Sequence, residues 1–144
     1  MAGQRSAAPG HHGRVTLVVG VPTEVKDNEF RVAITPDDVI WYSDYARGYL
    51  GRFDTKTGDV KEFASPGGPY SQPYGIVYLK GAVWYSESGV RPNTLVRFDP
   101  ASEKFQAWSI PSGGGVVRNM MVTRDGNIAM AESGVNRVAL VEVR

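Results

Sequence analysis

Three carboxylates, Asp44, Glu87 and Glu132, close three copies of one phrase. Val-Ile-Trp-Tyr-Ser-Asp (39 to 44) returns as Ala-Val-Trp-Tyr-Ser-Glu (82 to 87) and again as Asn-Ile-Ala-Met-Ala-Glu (127 to 132). Carboxylate oxygens are hard donors. Three of them brought to one place hold a divalent cation such as Mg²⁺ or Ca²⁺, with water completing the shell. The competing reading is structural: copies of one ancestral repeat share a carboxylate because it ends each second strand. Arg-Phe-Asp also recurs, at 52 to 54 and 97 to 99, where each arginine can pair with the aspartate across a turn.

The elements that must position these groups follow from the spacing. Trp41 to Trp84 is 43 residues and Glu87 to Glu132 is 45. A period of that length filled with short strands marks a propeller blade. The first halves align without gaps, Arg31–Trp41 on Tyr74–Trp84 on Asn119–Ala129. Each reads as strand, tight turn, strand, with Lys80-Gly81 and Asp125-Gly126 suited to two-residue hairpin turns of positive φ and Asp37-Asp38 a weaker version. A third strand follows over 49 to 54 and 94 to 99, then a turn and a fourth strand over 60 to 63 and 104 to 110. Gly/Pro-rich connectors, 65 to 73 and 111 to 115, lead onward. The expected fold is all-β: a partial propeller of about two and a half four-stranded blades over 31 to 144. Equivalent positions of a propeller surround one axis, so the three carboxylates are expected to face a common mouth. Arg118 and Asn119 stand where a blade enters the central face and are candidates for touching substrate or for stabilising a turn. Trp41 and Trp84 are expected to pack between blades. Open end blades lead to an expectation of poor solubility or of self-association that completes a ring.

Composition narrows the partners. Sixteen Lys and Arg against fifteen Asp and Glu give a net charge of +1, scattered along the chain, which suggests neither nucleic acid nor an acidic membrane surface. There is no cysteine, so disulfides, thiolate metal sites and cysteine nucleophiles are excluded. No apolar run approaches the about 20 residues that span a bilayer. Residues 1 to 14 are expected to be a disordered leader without a signal-peptide core, giving an expected cytoplasmic location. Gly113-Gly-Gly115 is a connector and not a phosphate loop, since no Gly-Lys-Ser/Thr follows it.

The words Trp-Tyr-Ser-Asp/Glu, Gly-Arg-Phe-Asp, Gln-Pro-Tyr-Gly-Ile and Trp-Ser-Ile-Pro-Ser-Gly resemble the virginiamycin B (streptogramin B) lyase family, over roughly 31 to 144. The resemblance is to the C-terminal blades of that seven-bladed propeller. It implies magnesium-dependent eliminative opening of a small cyclic peptide, with glutamates on the metal and a histidine base in a Glu-Pro-His-Gly-Ile type motif. Base and metal would act together, one removing the α-proton while the other polarises the ester carbonyl. Glu87 is then the best single metal and catalytic candidate. Here the motif reads Gln72-Pro73-Tyr74-Gly75-Ile76, so Tyr74 occupies the histidine position, and a tyrosine near pKa 10 is a poor neutral-pH base. The expectation is a lyase-like segment with little or no activity alone; the alternative is a non-catalytic module that binds a ligand or a protein.

Residues 15 to 36 resemble a different family, the extreme N-terminus of alanine dehydrogenase, where a strand and loop carry an arginine, here Arg31, to the substrate carboxylate. The dehydrogenase lysine and histidine segments do not follow, nor does a Gly-x-Gly-x-x-Gly turn, so that activity is not expected. Residues 31 to 36 satisfy both resemblances, which implies a chimeric chain joined there.

Overall fold

The structure, a computed structural model, describes residues 30–144, with the side chains of Phe30 and Arg31 outside the description. Four strands form the first sheet: β1 (Phe30–Ile34), β2 (Val39–Asp44), β3 (Tyr49–Asp54) and β4 (Val60–Ala64). The second holds β5 (Pro73–Leu79), β6 (Ala82–Glu87), β7 (Thr94–Asp99) and β8 (Lys104–Ser109), and the third holds β9 (Val117–Val122), β10 (Ile128–Glu132) and β11 (Arg137–Val141). Strand order in each sheet follows the chain and every pairing is antiparallel. β1 lies beside β5, and β5 beside β9. These are blades 1, 2 and 3 of a partial propeller, in the order the repeats require. Among the described residues no helix is long and apolar enough to cross a membrane. The leader and the dehydrogenase-like segment up to residue 29 lie outside the described residues.

Period-2 alternation gives each letter of the repeated phrase a direction. Here the forward face of a blade is the one turned to the next blade in the chain, and the back face the one turned to the preceding blade. Val39 and Trp41 point forward from blade 1, with Ala33 and Phe63, into a cluster that Val83, Tyr85, Val96 and Phe98 enter from the back of blade 2. Ala82 and Trp84 point forward from blade 2 and meet Ile128 and Met130 on the back of blade 3. Both tryptophans therefore pack between blades. Phe98, fully buried, has its ring 4.6 Å from Phe63, 4.7 Å from Phe105 and 5.5 Å from Trp41. Serine, the next forward letter, bonds across the same seams. Ser43 Oγ donates to the Tyr74 carbonyl at 2.9 Å, and Ser86 Oγ to the Val117 carbonyl at 3.2 Å.

Turn chemistry matches the sequence at one hairpin and departs from it at two. Lys80 and Gly81 both have positive φ, 50° and 74°, as a type I′ turn demands. The other two hairpins are three-residue loops in which only Asp38 (φ 65°) and Gly126 (φ 76°) are left-handed. Thr35 and Thr123 open them. Their carbonyls accept from Asp38 N and Gly126 N, each at 3.1 Å, and their hydroxyls accept from Val39 N at 3.2 Å and Asn127 N at 3.0 Å. A threonine that can cap the turn favours the longer loop.

The aspartates of Arg-Phe-Asp are turn caps. Asp54 Oδ1 accepts from Lys56 N at 3.0 Å and Thr57 N at 3.2 Å; Asp99 Oδ1 accepts from Ala101 N at 2.9 Å and Ser102 N at 3.4 Å. These backbone N–H groups hold both carboxyls below the usual carboxylate range. Arg52 pairs with Asp54 at 3.1 Å. Arg97 instead donates to Gln106 at 3.2 Å and lies over the Trp84 ring.

Two outcomes follow. Phe98→Ala is expected to cost about 3–5 kcal/mol in urea unfolding, and Phe53→Ala, the half-buried counterpart in the same word, clearly less. Because the folded pKa values of Asp54 and Asp99 are lowered, their stabilisation is complete above the unfolded carboxylate pKa of about 4 and is lost as pH falls below it. The double variant Asp54→Asn, Asp99→Asn keeps the caps but not the charges, so its melting temperature should fall less steeply than wild type below that pH.

Candidate functional site

Each carboxylate that ends the repeated phrase points to the back of its blade, the face opposite the tryptophan and serine. All three are buried. Glu87 enters the cleft between blades 1 and 2, where the connector leaving β4 passes. Its Oε1 accepts from Ser65 Oγ and from Gly67 N, both at 2.7 Å, and its Oε2 accepts from Thr94 Oγ1. Ser65 Oγ also lies 2.7 Å from the Tyr85 hydroxyl, and burial pushes that phenol well above its ordinary pKa. Three protein donors thus reach the buried carboxylate, two on Oε1 and one on Oε2, so that both oxygens are hydrogen-bonded.

Glu132 repeats the arrangement one blade later with fewer donors. Its Oε2 accepts from Ser112 Oγ at 2.6 Å, while its buried Oε1 has no hydrogen-bond partner. Connector registers explain the difference. Ser65 N donates to Gly48 O, and Ile110 N donates to Asn93 O, so Ile110 stands where Ser65 stood and brings no hydroxyl. Opposite Glu87 in the sheet is Thr94, but opposite Glu132 is Arg137. Asp44, on the back of blade 1, accepts instead from Arg47 of its own hairpin, N at 2.9 Å and Nε at 2.5 Å. Arg47 also grips Glu62. Both carboxylates raise the guanidinium pKa, and Arg47 lowers that of Glu62.

The expectation of a common mouth is not met. Asp44, Glu87 and Glu132 lie at successive blades, each turned to its own local donors, and among the described residues no three of His, Asp and Glu could hold a metal ion together. The donor set does not fit Mg²⁺. Glu87, the best candidate by resemblance, has its oxygens occupied by two hydroxyls and a backbone N–H, and displacing them would leave those donors unpaired in a buried cleft.

Tyr74 and Arg118 share a feature that the sequence hid. In blade 2 the register jumps between Pro73↔Glu87 and Ile76↔Tyr85, so Tyr74 and Gly75 together face Ser86 alone. In blade 3 it jumps between Asn119↔Ala131 and Val117↔Glu132, so Arg118 is the extra residue. Both bulges sit at the carboxylate end of the inner strand, where bulges re-aim side chains. Arg118 and Asn119 are exposed there. Tyr74 is buried, its ring edge-on to Tyr45 at 5.5 Å. Gly75 is needed at this point: a Cβ would meet Met120 Cγ at 2.9 Å and the Val117 carbonyl at 3.2 Å, so only glycine lets β5 press this closely on β9. A separate groove of about 710 Å³ runs between β8 and β11, lined among others by Trp84, Leu95, Trp108, Met130 and Glu132.

Three solved structures share this architecture. Virginiamycin B lyase from Staphylococcus aureus superposes with a TM-score of 0.63 at 22% identity, over 78% of this chain and 40% of that one. A catalytically inactive variant of that lyase with quinupristin gives 0.62 at 20%, over 78% and 40%. A streptogramin B lyase gives 0.67 at 17%, over 86% and 39%. The fold is that of the virginiamycin B lyase propellers. This chain spans about 40% of the length of those lyases. No family model matches the sequence, and no curated protein does. The lyase-like fold is thus carried by geometry at low identity, as the repeated words implied.

The serines, threonine and connector amides around the glutamates escaped the sequence reading. Their signal was present in Ser65-Pro-Gly and Pro111-Ser-Gly, which precede the bulged strand in both connectors. Because both oxygens of its carboxylate are hydrogen-bonded, Glu87→Gln is expected to cost about 1–3 kcal/mol in urea unfolding. Glu132→Gln, which removes a half-bonded buried charge, should be close to neutral or stabilising.

Proposed function

We propose that these blades are a scaffold segment of a lyase-like propeller that binds a ligand or partner without carrying out lyase chemistry itself. One observation carries the reading: the Glu87 carboxylate is bonded by Ser65, Gly67 and Thr94, which makes it a fastener between blade 2 and the connector from blade 1. Tyr74 in the histidine position supports the same conclusion, since the imidazole that the family motif carries there is replaced by a phenol. The ligand class suggested by the fold is a small cyclic peptide, approached through the exposed Arg118 and Asn119.

A second reading, an active magnesium-dependent lyase once further blades complete the ring, draws on the two bulges, which set Tyr74 and Arg118 beside the Glu87 and Glu132 strand ends. The two readings separate in one experiment. Purified protein is incubated with a streptogramin B antibiotic and Mg²⁺, ring opening is followed by mass spectrometry, and binding by calorimetry. The scaffold reading expects no opening above the protein-free control and no change of melting temperature with Mg²⁺. Opening that is abolished by a chelator and by Glu87→Gln would establish the lyase instead.

A further inference from the structure

Among the described residues, six of the ten large apolar side chains that remain exposed lie on two sheet faces. On the back of blade 1 they are Val32, Ile34 and Val60, around half-buried Ile40 and Phe53. Register places Ile34 against Ile40, Ile40 against Phe53 and Phe53 against Val60, so they share one side of the sheet. On the forward side of blade 3 they are Met121, Val138 and Leu140, the last two 81% and 61% exposed. Met121 and Leu140 flank Ala129, and Val138 lies against Ala131, again on one side. Contiguous exposed apolar surface of this kind marks a contact site.

The two faces are related as the two halves of a seam this molecule already contains. Ile40, Tyr42, Phe53 and Val60 occupy the repeat positions of Val83, Tyr85, Phe98 and Phe105, with which blade 2 receives blade 1. Val138 occupies the position of Leu50 and Leu95, each paired with the seam serine in its sheet and each buried. Ala129 replaces Trp41 and Trp84, which leaves room for Ile40 where blade 2 has the smaller Val83. We propose that the forward face of blade 3 packs on the back face of blade 1 of a second copy, head to tail. The contact is heterologous, so a blocked face on one copy leaves the other face of that copy competent. It is weaker than the internal seams, because Ala131 offers no counterpart of the Ser43 and Ser86 hydroxyl bonds. The proposal is independent of whether the blades catalyse anything.

Sedimentation equilibrium of the full chain over a wide concentration range tests it. The mass should rise with concentration above the 15.7 kDa monomer. Ile34→Lys and Leu140→Lys should each weaken association by about tenfold or more. Mixed in equal amounts, they should recover a dimer, because one variant keeps an intact blade 3 face and the other an intact blade 1 face. Circular dichroism checks folding, and Val32→Lys and Val138→Lys replace either variant that fails. A monomer at every concentration, association indifferent to these substitutions, or a mixture that stays monomeric would each overturn the proposal.

Discussion

A carboxylate taken out of water between two sheets has to be bonded by whatever surrounds it, and this constraint organises the cleft between blades 1 and 2. Ionised carboxylates in dry surroundings are costly unless nearby donors meet their oxygens. Glu87 obtains them from the connector on one side and from β7 on the other. The connector is thereby fixed in path as well as in length, since the Gly67 amide must arrive within hydrogen-bond reach of the same oxygen as the Ser65 hydroxyl. With the connector fixed, β5 enters beside β1, and the rings of Trp41, Phe63 and Phe98 close over the seam.

The chemistry of a repeat position and its place in the fold are separate matters here. A shared carboxylate in successive copies is compatible with convergence on one metal or with a local task performed once per blade. What decides is the side of the strand. The carboxylate stands one residue after the seam serine, so it must point away from the face that serine serves. In blades 2 and 3 it therefore addresses the preceding blade's connector, whereas Asp44 of blade 1 bonds to Arg47 of its own hairpin.

Much of the architecture was legible in the sequence. Strand positions, the count of blades and the interblade place of Trp41 and Trp84 all follow from a 43- to 45-residue period with alternating apolar residues. The lyase-like fold was legible in the repeated words. What the residues did not reveal depends on registers that letters cannot show. The threonine-capped loops at Thr35 and Thr123 hide behind Asp37-Asp38 and Asp125-Gly126, pairs that suit a shorter turn. The bulges at Tyr74 and Arg118 appear only when two strands are paired. Two of the three donors to Glu87, Ser65 and Gly67, come from residues about twenty positions away, in a connector whose composition announces flexibility rather than a bonding role.

The alternation of directions along Trp-Tyr-Ser-Asp/Glu has a mechanical corollary. In the third copy the back-pointing letters persist as Met130 and Glu132, while the forward-pointing ones have become Ala129 and Ala131. The seam behind blade 3 is also the sparser of the two around its carboxylate, with one hydroxyl where Glu87 has two and an amide. The fastening is thus graded along the chain: without the Ser112 hydroxyl Glu132 would keep no donor, whereas Glu87 would keep two without any one of its three.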